Sequence, residues 1–217
     1  MEWQTWVRQS LPRTDYLRGG ATCWPVGGSR LLDDALGPTL HLHVGAAEIF
    51  YFVAGRCRLE IGDSEEFFGP GDYVLVPPEV PHNLWSADPT TDLLVFWLVA
   101  PHFQADKWRT AGFPPGAMQQ RAIRGRVEAG TTLPSHPLLD SQLLTLPAGA
   151  AQTEHTAEKQ EAVLYVVEGE VETQVGHLRG RLGAHQLVHV PVDTPYALAC
   201  PTGPALVLLI HTPRGAA

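Results

Sequence analysis

The chain has 217 residues, 44% of them hydrophobic, with Gly 21 and Pro 19, which is globular and turn-rich and long enough to bury a core in one large or two small domains. A formal charge of -8 with no basic run argues against nucleic-acid binding, and no apolar stretch reaches the roughly 18 residues of a membrane span. The N-terminus MEWQTWVRQSLPRTDYLRGG lacks a signal-peptide core, and three scattered cysteines (Cys23, Cys57 and Cys200) fit reduced thiols, so a cytoplasmic protein is expected.

Residues 1 to about 30 precede the first patterned segment, and Trp3, Trp6 and Trp24 are expected to anchor them along its flank. The segments IFYFVA, CRLEI, YVLVP and LLVFWLVA then follow, short, apolar and bounded by turn residues, and all are predicted strands. In the second of them Cys57, Leu59 and Ile61 alternate with Arg56, Arg58 and Glu60, so the two arginines are expected to point away from the core. The stretch from Pro101 to Pro137 is richer in Pro, Gly and charge and reads as a connector, with one short helix predicted around Met118 to Arg124.

Beyond the connector the pattern returns. At a constant offset of 114 residues, Gly55, Gly62 and Gly69 fall on Gly169, Gly176 and Gly183, and Pro77 and Pro81 fall on Pro191 and Pro195. Tyr51, Val53, Val74 and Val76 meet Tyr165, Val167, Val188 and Val190. Glycines and prolines fix turns, so their match in register implies two copies of one backbone path. Many short strands with little helix signal predict an all-β chain of two antiparallel barrels or jelly rolls. The expected division is an N-terminal barrel at 1–105, a connector at 106–135 and a C-terminal barrel at 136–217.

The first copy carries a metal-ligand pattern. In HLHVGAAEIFYFVAG, His41 and His43 are two apart, which on a strand sends both imidazoles to one face. Gly45 can turn the chain so that Glu48 returns on the next strand. In GPGDYVLVPPEVPHNLW, a rigid proline turn places His82 at the start of another strand. Three imidazoles and one carboxylate suit a single divalent transition metal (Fe, Mn, Ni, Co, Cu or Zn) and leave coordination positions open. The residual positive charge of such a centre favours an anionic substrate, an enolate or an oxygen species.

These two segments resemble the paired motifs of the cupin superfamily: two histidines, a glutamate and a following glycine (Gly55), then a stretch from Gly71 through Pro77 to a third histidine at His82. Glu79 stands where the family usually has glycine, and Ser86 where it usually has asparagine. The resemblance covers about residues 38–99 and, through the repeat, about 152–210. It implies two tandem double-stranded β-helix barrels and the metal ligands His41, His43, Glu48 and His82.

The second copy has lost most of this set. His41 maps to His155, but His43 maps to Ala157, Glu48 to Ala162, His82 to Tyr196 and Gly71 to His185. Glu154, Glu158, Glu161 and His189 lie nearby; a solvated acidic strand edge is the preferred reading of them over a second metal site. The second barrel therefore reads as structural, with Tyr196 a candidate hydrogen-bond donor in a metal-free pocket.

If Glu48 points inward, alternation brings Phe50 and Phe52 with it, His82 brings Leu84, and either Phe96 or Trp97 joins them from LLVFWLVA. Such a lining suits a small aromatic or apolar molecule bound through oxygen to the metal, although aromatic strand residues also serve as ordinary core. Small bicupins of the quercetinase type, which the chain resembles, make a metal-dependent dioxygenase the leading expectation, with Glu48 as ligand and proton acceptor. A non-catalytic small-molecule-binding module, or a non-redox isomerase or lyase of a sugar or keto acid, is the alternative. The outward residues Ile49, Tyr51 and Val53 need cover, from the second barrel or from another subunit in a homodimer.

Overall fold

The computed structural model describes residues 4–5, 22–27, 40–88, 90–91, 93–101, 108–151, 154–156 and 158–213. The chain divides into two compact units, Arg8–Arg126 on one side and Met1–Val7 with Val127–Ala217 on the other. Strand β1 (Gln4–Thr5) belongs to the second unit. The first contains β2 (Thr22–Gly27), β3 (Leu42–His43), β4 (Ala47–Ala54), β5 (Cys57–Ile61), β6 (Ser64–Phe68), β7 (Asp72–Val76), β8 (His82–Ser86), β9 (Leu94–Ala100), β10 (Trp108–Arg109) and β11 (Ile123–Arg126). The second continues with β12 (Asp140–Leu146), β13 (His155–Thr156), β14 (Gln160–Glu168), β15 (Glu170–Val175), β16 (Leu178–Gly183), β17 (Gln186–Val190), β18 (Pro195–Ala199) and β19 (Ala205–Pro213).

In the first unit a five-stranded sheet β11-β7-β4-β9-β2 accompanies a three-stranded sheet β6-β5-β8 and the pair β10-β3. The second unit repeats this as β1-β17-β14-β19-β12 and β13-β18-β15-β16. The pairings are antiparallel throughout. Alternation decides what each barrel encloses. On β5, Cys57, Leu59 and Ile61 are buried in the inner cluster with Phe50, Phe52 and Val74. Arg58 lies outside, over the ring of Trp85 at 4.7 Å, and Arg56 over that of Phe67 at 4.9 Å. Ile49 and Tyr51, on the outward face of β4, are buried as well.

The repeat extends to backbone conformation. Positive φ occurs at Gly45, Gly55, Gly62, Gly71 and Glu79, and again 114 residues on at Lys159, Gly169, Gly176, His185 and Asp193. The bulge between Phe52 and Ala54 on the β4–β9 ladder recurs between Val166 and Glu168 on β14–β19. Gly62 N–H donates to Pro81 O at 2.7 Å, and Gly176 N–H to Pro195 O at 2.7 Å. Two of the five positions keep glycine in both copies; Gly45 and Gly71 give way to Lys159 and His185 in the second, and the fifth holds Glu79 in one copy and Asp193 in the other.

Two expectations need correction. The connector forms no helix over Met118 to Arg124: Ala117–Gln119 make one 3₁₀ turn, and β11 pairs with the edge of β7. Edge pairing outweighs helix propensity here; Arg126 meets Asp72 of β7 across the ladder, and Arg124 meets Glu66 of β6. The N-terminal residues do not all flank the first barrel either. β2 pairs with β9, but β1 pairs with β17 of the second barrel, Gln4 opposite Leu187. Each barrel thus has its β7 or β17 edge closed by the segment preceding the other: Gln4 takes against Leu187 the place that Gly125 takes against Tyr73. Trp3 and Trp6 lie outside the described residues, as does the side chain of Trp24, whose backbone stands opposite Trp97. No helix among the described residues is long and apolar enough to cross a membrane.

Burial also fixes the chemistry of the thiols. Desolvation pushes the Cys57 thiol far above its ordinary range and raises Cys200 too. Neither thiol should react with iodoacetamide at pH 8 in the native protein, and both should react in denaturant; peptide mass spectrometry showing native alkylation of Cys57 would contradict the packing described.

Candidate metal centre

Backbone pairing assembles the site. His41 and His82 form an antiparallel bridge, His41 N–H to His82 O at 3.0 Å and His82 N–H to His41 O at 2.7 Å. Directly paired residues share a face, and the two ring centroids lie 4.5 Å apart. His43, two residues along, adds its ring 5.3 Å from that of His41 and 5.5 Å from that of His82. The turn at Val44–Gly45 (φ 71° at Gly45) reverses the chain into β4, where Glu48 sits between Val76 of β7 and Val99 of β9.

The loop carrying His82 is held against this frame. Glu79 N–H donates to His43 O at 3.0 Å, with Glu79 in the left-handed region at φ 67°. This is the position where glycine was expected from the family pattern, and the conformation explains why: a Cβ there costs about 1 kcal/mol. Glu79→Gly should therefore raise unfolding stability by up to about 1 kcal/mol without weakening metal binding. A chemical-denaturation curve with an unmoved or lowered midpoint would argue against this geometry.

The donor atoms of His41, His43, Glu48 and His82 all lie within 4.8 Å of one another, and all four residues are buried. Ligands at about 2.0 to 2.1 Å from an ion stand roughly 3 to 4 Å apart, so small side-chain adjustments close the shell. Glu48 Oε2 is 2.6 Å from His82 Nε2 and 3.1 Å from His43 Nε2. Burial alone would raise the pKa of this carboxyl, yet the charges and hydrogen bonds of His43 and His82 outweigh it and hold Glu48 well below the usual carboxylate range. It is therefore anionic at neutral pH, as a ligand must be. The Val80 carbonyl, 2.8 Å from His82 Nδ1, can only accept a hydrogen bond, so Nδ1 carries a proton, and Nε2, which faces Glu48, is the atom that would ligate a metal in exchange for its own proton. A buried carboxylate among imidazoles is costly to assemble unless a cation or strong hydrogen bonds compensate it. The set fits one divalent transition metal.

Next to the ligands the interior is aromatic. The Phe50 ring lies 6.0 Å from those of His82 and Trp97, and 6.4 Å from Phe52. Leu84 packs in the same cluster, opposite Leu59. Of the two neighbours on β9, Trp97 faces inward opposite Phe50; Phe96 stands opposite Tyr51 on the other face, outside the lining. Phe68, stacked on Phe52 at 5.5 Å, is a member that sequence reasoning missed, because FF in SEEFF gives no parity of its own.

In the second barrel His155 pairs with Tyr196 as His41 pairs with His82, and Ala162 faces Val190 as Glu48 faces Val76. Glu161 Oε2 and His189 Nε2 lie 3.1 Å apart on the opposite face from Ala162, and Glu154 and Glu158 are exposed. Ala157 lies outside the described residues. Among the described residues, the first-barrel group alone assembles as a metal-binding cluster.

Comparison with known proteins agrees with this architecture. The Cupin domain family matches twice, at residues 31–99 and 142–211. Oxalate decarboxylase from Bacillus subtilis is similar in structure at a TM-score of 0.60 and 16% identity, over 92% of this chain and 69% of that one. A Cupin 2 conserved barrel domain protein from Leptotrichia buccalis gives 0.58 at 13% identity, over 89% and 84% of the two chains. The coconut allergen cocosin gives 0.61 at 12% identity, over 90% and 78%. At such identities the likeness shows the fold. No curated protein matches in sequence. The chain belongs to the cupin family, with two tandem barrels and a metal-ligand set of three histidines and one glutamate in the first.

Proposed function

We propose that the chain is a metal-dependent dioxygenase acting on a small aromatic or apolar, oxygen-bearing substrate in the first barrel. The observation that carries this reading is the apolar inner face of Phe50, Phe52, Trp97 and Leu84, three of them aromatic, beside the four ligands. Bound by His41, His43, Glu48 and His82, a redox-active metal supplies Lewis acidity toward a substrate oxygen and a means of engaging dioxygen. The protein supplies the rest. Phe50 and Trp97 give a flat substrate ring surfaces to pack against and exclude water from the reacting oxygen. Glu48, the one carboxylate among the four ligands, would take the proton of a substrate hydroxyl. A sugar or keto-acid isomerase or lyase would need cationic groups to hold its polar substrate, whereas Arg56 and Arg58 stack on outer aromatics.

Oxygen-electrode assays of the Fe-, Mn-, Ni- and Co-loaded protein with catechols and flavonols test the reading. Consumption of about one dioxygen per substrate, reduced at least about tenfold in Phe50→Ala through KM, is expected. Metal-loaded protein that binds such compounds without consuming oxygen would instead be a binding module.

A further inference from the structure

The second barrel has a polar group at its mouth that a constant repeat offset conceals. Across the last strand the correspondence shortens from 114 to 112 residues: Glu48 faces Val99, but Ala162 faces His211. His211 thus projects on the inner face, beside the place where the first barrel holds its carboxylate. Tyr196, on the same inner face, lies in the core cluster of this barrel, and its ring is 5.8 Å from that of His155. Asp140 of β12 is the cross-strand partner of His211 on its other side. Among the described residues neither the Tyr196 hydroxyl nor the His211 ring has a hydrogen-bond partner. His155 is exposed and His211 partly so, which opens the group to solvent.

We infer that the second barrel binds a small organic carboxylate at this mouth, the ligand's carboxyl group taking the place that Glu48 fills in the first barrel. In the first barrel a carboxylate lies 2.6 and 3.1 Å from two imidazoles. In the second, Ala162 stands in the place of that carboxylate, His211 is its partner on the β14–β19 ladder, and Tyr196, with His155 paired to it, stands where His82 and His41 stand in the first. Burial raises the Tyr196 pKa, so the phenol keeps its proton and donates it. Burial lowers that of His211, with His155 adding to the effect and Asp140 opposing it, which leaves a neutral imidazole with one N–H. Asp140, which accepts from Gln142 Nε2 at 3.2 Å, stands opposite His211 on the ladder. Charge-assisted hydrogen bonds to a carboxylate are stronger than those between neutral groups. The ligand supplies the negative charge that this copy lacks.

The probe is 4-fluorobenzoate, followed by fluorine NMR on the full chain loaded with Zn, with acetate as competitor. Saturable binding is expected in the wild type and in His82→Ala, which removes the first-barrel site. It should weaken at least about tenfold in Tyr196→Phe and in His211→Gln, and vanish in Ala162→Glu, where the chain supplies the carboxylate itself. Acetate should displace the probe. Thermal unfolding checks that each variant is folded, and Tyr196→Phe, being conservative, decides if another is not. Absence of binding in folded wild type, or binding lost with His82→Ala and indifferent to Tyr196→Phe, would overturn the inference. So would a second metal equivalent lost in His211→Gln, which would make this a metal site, or a preference for a glutamate-containing peptide over the free acids.

Discussion

His82→Ala should lower the affinity for a divalent metal by at least about 100-fold while leaving both barrels folded. Loss even of a group that only orients a ligand typically costs 10- to 100-fold, and a ligand itself costs more. The effect is large because His82 is a fixed donor: Val80 O sets its tautomer, and the bridge to His41 sets its backbone. Removing it also strips Glu48 of its closer imidazole partner, so the remaining two histidines would coordinate a less well-oriented carboxylate. Titration against a competing chelator, with circular dichroism to verify folding, measures the change. Unaltered affinity in a folded variant would place the metal elsewhere.

Gly62→Ala should destabilise the first barrel by about 3 kcal/mol or more, against about 1 kcal/mol for Gly45→Ala. Both glycines have positive φ, 59° and 71°, so both substitutions carry the same conformational cost. The difference is space. A Cβ on Gly62 would run into the backbone carbonyl of Met118, whereas one on Gly45 meets nothing within 4 Å. That carbonyl is not free to retreat, since Asp63 N–H donates to it at 2.9 Å. Gly62 also holds Pro81, the residue before His82, so metal affinity should fall along with stability. Equal denaturation midpoints for the two variants would mean that the 3₁₀ turn at Ala117–Gln119 does not lie against β5.

How much of this was legible in the sequence depended on which residues constrain the backbone. The two barrels were visible because Gly55, Gly62 and Gly69 recur with the prolines at one spacing, and the left-handed turns at Gly55 and Gly62 tolerate few other residues. The ligand set was visible because a separation of two on a strand and a proline turn before His82 both have unambiguous consequences. The β11 edge strand was not visible: IRGR has no alternation of apolar residues, and its partner on β7 is long-range. The pairing of β1 with the far barrel was hidden for the same reason, since two residues carry no periodic signal. His211 was missed because a rigid offset of 114 aligns it with Trp97, while the ladder aligns it with Val99. Sequence arithmetic assumes equal loops, and strand register does not.

The central claim is that the first barrel holds one metal. Elemental mass spectrometry of the chain purified without chelator, and after reconstitution with Fe, Mn, Ni, Co, Cu and Zn in turn, measures it most directly. The account predicts about one divalent transition ion per chain, absent from His82→Ala. No stoichiometric ion under any of these conditions would contradict it.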